Sequence, residues 1–175
     1  MAGSIVSFEE VAAFHGHVCP GLAIGYRMTQ AALRSLADER AEDEELVAIV
    51  ENDACGVDAV QYLAGCTFGK GNLIFRDYGK QAYTFYRRAS NRAVRVTAKD
   101  RPTTSEEETR EERMRRLLVA TEEDVVDVEE VSIPEPEHAQ IRASVTCTFC
   151  GERVMETRAR VREGDVSCIP CASAI

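Results

Sequence analysis

The chain has 175 residues, 45% of them hydrophobic and 29% charged, which suits one ordinary globular domain with a small appendage. Its formal net charge of -9 argues against a general nucleic-acid-binding protein, because such domains carry a basic surface. The longest apolar stretches, such as Leu46–Val50, are far shorter than the roughly 20 residues that span a bilayer. The first residues have no basic start and include Glu9 and Glu10, so we expect no secretory signal and a cytoplasmic protein.

The N-terminal part of the chain predicts two helices joined by a short turn. Ser7 can cap the first helix, which extends to about Phe14, and Glu10 stands in the capping-box position. A second helix is predicted over about 21–37, where apolar residues recur with helical spacing. The turn between the two helices reads His15-Gly-His-Val-Cys-Pro-Gly21.

The middle of the chain predicts a sheet. Glu45–Glu51 is a short apolar run typical of a buried strand, and Val57–Ala64 resumes a helical rhythm. Three segments rich in β-branched and aromatic residues then predict a strand followed by a meander. They are Leu73–Phe75, Ala82–Tyr86 and Ala93–Thr97.

A charged helix is predicted over Thr104–Ala120, with Met114, Leu117 and Leu118 as its buried stripe. The acidic segment Glu122–Pro136 ends in Ser-Ile-Pro-Glu-Pro and is predicted to be a hinge. The expected fold class is therefore α+β. A mixed β-sheet flanked by helices would occupy residues 1–135, and a small zinc-binding domain would occupy residues 140–175.

Four cysteines near the C-terminus form two C-x-x-C pairs, with 151–167 between them. This is the spacing of four-thiolate zinc sites, because two residues between thiols let one tight turn present both sulfurs to a tetrahedral ion. Such a site is structural, since four protein ligands leave no position for a substrate. The four are Cys147, Cys150, Cys168 and Cys171.

A second metal site is predicted in the first half of the chain. His17 and Cys19 lie two residues apart, and Cys19 precedes Pro20, a favoured first residue of a helix. Cys55 stands in a similar place, after a strand and before a helix. A thiolate is favoured at a helix N-terminus by the helix dipole. If the two turns meet, His17, Cys19 and Cys55 would hold a metal ion with one open position, and His15 would lie nearby.

Further residues are candidates for the same pocket. Cys66 follows the predicted helix Val57–Ala64 and could line this pocket. Lys70 could lower the pKa of a thiol or bind an anion. Asp58 can act as a general base near the metal, or it can simply compensate the dipole of its own helix. The catalytic candidates are Cys19, Cys55, Asp58, Cys66 and Lys70, and Asp53, Asp58 and His15 are the available general bases.

The chain resembles the FmdE family, named after the E subunit of formylmethanofuran dehydrogenase. The resemblance rests on Phe14-His-Gly-His-Val-Cys-Pro-Gly21, Cys55-Gly-Val-Asp-Ala-Val-Gln61, Gly65-Cys-Thr-Phe-Gly-Lys-Gly-Asn72 and the terminal cysteines. It implies an N-terminal α+β domain of thioredoxin-like character, a treble-clef zinc finger, a metal site in the N-terminal domain and a homodimer.

Three functions follow as expectations. The leading one is a metal-binding accessory protein associated with a molybdenum or tungsten redox enzyme, or with handling of its metal or cofactor. It would hold a structural zinc and a second metal ion, expected to be zinc. The alternatives are a metal-dependent or thiol-redox enzyme that uses the N-terminal site, and a zinc-finger regulator, which the negative charge disfavours.

Overall fold

The computed structural model describes residues 6–37, 40–99 and 108–173, and the chain divides into two compact units, residues 1–139 and 140–175. The start of the predicted charged helix, 104–107, lies outside the described residues. Within the described part of the chain, no helix is long and apolar enough to cross a membrane.

The described residues of the first unit form five α-helices, and the first of them starts at the predicted capping box. Ser7 and Glu10 form the capping box of α1, and Thr109 caps α4 in the same way. Leu117 of α4 is buried, as predicted. The helices are α1 (Phe8–His15), α2 (Pro20–Leu36), α3 (Gly56–Ala59), α4 (Arg110–Val119) and α5 (Glu122–Val125), and a π-helical turn, Val60–Ala64, continues α3.

Five strands from the described part of the first unit form one mixed sheet in the order β2-β1-β3-β4-β5. β1 and β2 pair in parallel, and the pairs β1–β3, β3–β4 and β4–β5 are antiparallel. The strands are β1 (Leu46–Val50), β2 (Leu73–Phe75), β3 (Ala82–Arg87), β4 (Arg92–Ala98) and β5 (Val126–Val131). The predicted α+β class with a mixed sheet is confirmed.

The interior strand β1 is buried along its whole length because both faces of the sheet are covered there. On one face, Ala48 and Val50 belong to the main core, together with Leu22 and Met28 of α2. Val47 and Ile49 point away from that core and are buried as well. A strand covered on both sides reads as a continuous apolar run, which is the pattern that predicted it.

The hinge predicted over Glu122–Pro136 is wrong for most of its length, because 122–131 form α5 and the edge strand β5. Val126 and Val128 alternate with acidic residues, and the acidic side chains pair with bases on β4 and just beyond it. Glu130 binds Arg92 at 3.0 Å, and Asp127 binds Lys99 at 2.9 Å. An edge strand tolerates acidic residues because its outer side meets solvent.

The second unit, over its described residues 140–173, consists of two short hairpins and a final helix. The second hairpin turns at Glu163 and Gly164, both with positive φ (55° and 91°), as a two-residue hairpin loop requires. Its elements are β6 (Ser144–Thr146), β7 (Arg153–Met155), β8 (Arg160–Arg162), β9 (Asp165–Ser167) and α6 (Ile169–Ser173). β6 pairs with β7 and β8 with β9. Cys147 follows β6, Cys150 lies in the turn before β7, Cys168 directly precedes α6 and Cys171 lies within α6, so this cluster fits a zinc-binding knuckle.

Candidate metal centres

The turn between α1 and α2 arranges three potential metal ligands. Gly16 ends α1 in a left-handed conformation (φ 92°) and donates its backbone N–H to the carbonyl of Ala12 at 2.8 Å. Cys19 is the N-cap of α2, and its sulfur accepts a hydrogen bond from the N–H of Leu22 at 3.3 Å. The turn therefore presents His15, His17 and Cys19 within five residues.

A contact between two glycines brings Cys55 to this turn. A Cβ atom added to Gly25 of α2 would lie 2.3 Å from the Cα atom of Gly56, the first residue of α3. A Cβ atom on Gly56 would meet the hydroxyl of Tyr83 at 2.5 Å. The two helices approach closely because neither residue has a side chain, and Cys55 lies directly before Gly56.

Four ligand groups converge at this point. One potential ligand atom from each of His15, His17, Cys19 and Cys55 lies within 4.8 Å of the others. Cys19 is buried, His15 and Cys55 are half-buried, and His17 is exposed. The sequence predicted three ligands with His15 nearby, whereas the structure places His15 in the cluster itself. This set could hold a metal ion with four protein ligands, so the open position expected of a three-ligand site would arise only where one ligand, such as the exposed His17, leaves the ion.

Asp58 fixes the orientation of the His15 ring. Its carboxylate oxygen lies 2.6 Å from Nδ1 of His15, and its other oxygen accepts a hydrogen bond from Gln61 at 3.0 Å. Nε2 of His15 is buried and has no hydrogen-bond partner among the described residues. A carboxylate on one ring nitrogen, with the other nitrogen free, is the usual setting of a metal-bound histidine. The residues present therefore fit a metal ion.

Two clefts adjoin this N-terminal cluster. One, of about 410 Å³, is lined by residues that include His15, Cys55, Asp53 and the exposed rings of Phe68 and Phe75. The other, of about 260 Å³, is lined by residues that include His17, Cys19, Arg110, Glu111 and Met114. The cluster is accessible to small molecules from both clefts.

The expectation that a helix dipole favours the thiolate of Cys55 is wrong. Burial, followed by the neighbouring thiol of Cys19, raises the pKa of Cys55 above its ordinary value. The side chain of Cys55 makes no capping hydrogen bond at the start of α3.

Cys66 and Lys70 do not line the pocket, contrary to expectation. The thiol of Cys66 is fully buried and donates to the carbonyl of Leu46 at 3.4 Å, and its burial raises its pKa to about 12. Lys70 donates to the carbonyls of Ala41 at 3.1 Å and Glu42 at 3.2 Å. Both side chains hold the chain around the start of β1, which gives them a structural role.

The second cluster lies in the C-terminal unit, where one ligand atom from each of Cys147, Cys150, Cys168 and Cys171 lies within 4.8 Å of the others. Gly151 follows the first pair with a φ of 78° and donates to the carbonyl of Cys147 at 2.9 Å, which closes the tight turn.

The electrostatics of this cysteine cluster also fit a cation. The backbone N–H of Cys150, with those of Cys168 and Phe149, lowers the pKa of Cys147 to about 6. The neighbouring sulfurs, that of Cys168 first, raise the pKa of Cys171 to about 12. Four thiols this close cannot all ionise without a positive charge among them, and a divalent metal ion supplies that charge.

The fold and the two clusters define an α+β protein with two candidate metal centres. Residues 14–147 match the family model described as FmdE, molybdenum formylmethanofuran dehydrogenase operon. The chain therefore belongs to the FmdE family.

The chain is also similar to two individual proteins. A crystal structure of a tungsten formylmethanofuran dehydrogenase FmdE-like protein from Syntrophus aciditrophicus superposes with a TM-score of 0.73. It is 27% identical, and the match covers 97% of this chain and 94% of that one. A probable S-adenosyl-L-methionine-binding protein of Archaeoglobus fulgidus is 34% identical over 92% of this chain, which spans about half (51%) of that relative's length.

Proposed function

We propose that this protein is a metal-binding accessory protein that works with a molybdenum or tungsten redox enzyme, or handles its metal or cofactor. The observation that carries the proposal is the convergence of His15, His17, Cys19 and Cys55, with the buried Nε2 of His15 left without a partner among the described residues. Two imidazoles and two thiols suit zinc, and these four groups would bind and orient the ion.

The positions of the ligands support a site that exchanges its metal. His17 is exposed, and clefts open on both sides of the cluster. A ligand that meets solvent can leave the ion and return without unfolding its surroundings. The C-terminal cluster, with Cys147 and Cys168 buried, suits a structural zinc that stabilises its small unit.

The association with a molybdenum or tungsten enzyme is supported by the names of the family and of the FmdE-like protein with the similar crystal structure. The homodimer implied by the family resemblance belongs to the same proposal. Both can be tested by co-purification and by measuring the mass of the protein in solution.

A metal-dependent enzyme is the second candidate, and the 410 Å³ cleft favours it. Asp53 is exposed and lines that cleft together with His15 and Cys55, so a candidate general base shares the cleft with the proposed metal ligands. Asp58 is a poorer base because both of its oxygens are engaged. An enzyme would lose turnover on Asp53→Asn substitution while retaining its metal.

The proposal is tested by the metal content of matched variants. We expect two metal ions per chain in the wild type, one for each cluster. Cys55→Ser and His17→Ala should each leave only the C-terminal ion, with little loss of thermal stability. Cys66→Ser is the control, because this thiol lies outside both clusters and its loss should leave both ions in place. Unchanged metal content in Cys55→Ser and His17→Ala would refute the N-terminal site.

A further inference from the structure

We propose that Cys19 and Cys55 form a reversible disulfide, and that its formation releases the metal from the N-terminal cluster. This inference rests on the proposed function and adds a redox control to that site. It starts from the two sulfurs, which belong to different helix starts and lie within 4.8 Å of each other.

The glycine contact between α2 and α3 makes this approach possible. Gly25 and Gly56 hold the helix starts together at a separation that no side chain permits. Gly21 lies beside both thiols. A Cβ atom there would lie 3.5 Å from the Cβ atom of Cys55 and 3.8 Å from the sulfur of Cys19. The sulfurs therefore need only side-chain rotation and a small movement to reach bonding distance.

The two thiols differ in access, which sets the order of the reaction. Cys55 is half-buried and lines the 410 Å³ cleft, whereas Cys19 is buried although it borders the 260 Å³ cleft, so a small oxidant such as hydrogen peroxide reaches Cys55 first. The peroxide oxidises the Cys55 thiol to a sulfenic acid and is reduced to one water molecule. The sulfur of Cys19, which is buried beside it, then attacks the Cys55 sulfur and displaces a second water molecule. Two electrons pass to the peroxide. With a metal bound, both sulfurs would be thiolates, so two protons from solvent complete the two water molecules and the metal leaves as a free cation.

No other described thiol competes for this bond within the first unit. Cys66 is fully buried, and its thiol donates to the carbonyl of Leu46, away from the cluster. A Cys19–Cys55 disulfide removes both sulfur ligands and leaves only His15 and His17. Because thiolates are the anionic ligands of this set, two imidazoles alone bind a metal much more weakly. Oxidation therefore empties the site, and reduction restores it.

The test uses the full chain loaded with zinc and titrated with hydrogen peroxide. We expect a loss of two hydrogen atoms from the intact mass and release of one zinc ion per chain. Both changes should be reversed by dithiothreitol and fresh zinc. The tryptic peptide 41–70 carries both Cys55 and Cys66, so a further cleavage before Asp58 identifies the thiol that is linked to Cys19. Cys66→Ser should give the same disulfide, and Cys55→Ser should give none.

Three results would overturn the inference. They are oxidation confined to the C-terminal cysteines, a link from Cys19 to Cys66, and a Cys19–Cys55 disulfide that leaves the N-terminal zinc bound. The proposed function fails separately, if the reduced protein binds no metal at the N-terminal cluster. The disulfide can then still be detected in the metal-free protein.

Discussion

Asp58 decides how well His15 can bind a metal. Its carboxylate accepts from Nδ1 of His15 at 2.6 Å, which fixes the ring and leaves Nε2 facing the cluster. We expect Asp58→Asn to lower the metal affinity of the N-terminal site about 10- to 100-fold, because the carboxylate both orients the ring and increases its basicity. Competition with a chromogenic chelator measures this affinity.

Asp53→Asn is the matched control for that experiment. Asp53 lines the 410 Å³ cleft, as Asp58 does, and its substitution by asparagine removes the same charge. Asp53 makes no hydrogen bond to His15, however. The metal affinity of the N-terminal site in this variant should stay within about twofold of the wild-type value, since an exposed charge contributes little to binding. Equal losses in the two variants would show that net charge, and not the orientation of His15, controls metal binding.

At the scale of elements, the approach of α2 to α3 holds the N-terminal cluster together. Gly25→Ala places a methyl group 2.3 Å from the Cα atom of Gly56, so the helices must separate. We expect a loss of about 1–3 kcal/mol in the free energy of unfolding and weaker binding of the N-terminal metal. Urea denaturation and metal titration provide the two measurements. In the same helix, Gly21→Ala makes only ordinary contacts at 3.5 and 3.8 Å and should retain wild-type stability.

Arg27 attaches α4 to α2 and thereby completes the cleft beside His17. Its buried guanidinium group donates to the backbone carbonyls of Leu117, Leu118 and Ala120 at 2.7–2.9 Å. A lysine cannot reach three carbonyls, so Arg27→Lys should destabilise the protein by about 2 kcal/mol. Hydrogen exchange should increase first in α4. Exchange that rises equally across the sheet would contradict this local role.

The sequence predicted the elements that are determined by residues close together in the chain, and it missed those that depend on distant partners. Each of three signals involves only a few consecutive residues, and the structure confirms all three. They are the capping box at Ser7, the N-cap at Cys19 and the apolar run of β1. β5 was missed because its acidic residues look like a linker until their partners on and beside β4 are known. His15 was placed only near the site, because its role depends on Asp58, far along the chain.

The molecule as a whole divides into two compact units, each with its own cluster of metal ligands. The C-terminal unit buries few apolar side chains, so most of its folding free energy should come from metal binding. We expect Cys147→Ser to unfold residues beyond about Ile141 and to leave the first unit folded. Limited proteolysis and far-ultraviolet circular dichroism would show this, and simultaneous unfolding of both units would contradict it.

The central claim, that His15, His17, Cys19 and Cys55 hold a metal ion, is tested most directly by X-ray absorption spectroscopy of the zinc-loaded protein. With one ion in each cluster, the average coordination should be three sulfur atoms and one nitrogen atom, and elemental analysis should give two zinc ions per chain. In Cys147→Ser protein the remaining bound ion should show two sulfur and two nitrogen ligands. One zinc ion per chain with four sulfur ligands in the wild type would contradict the account.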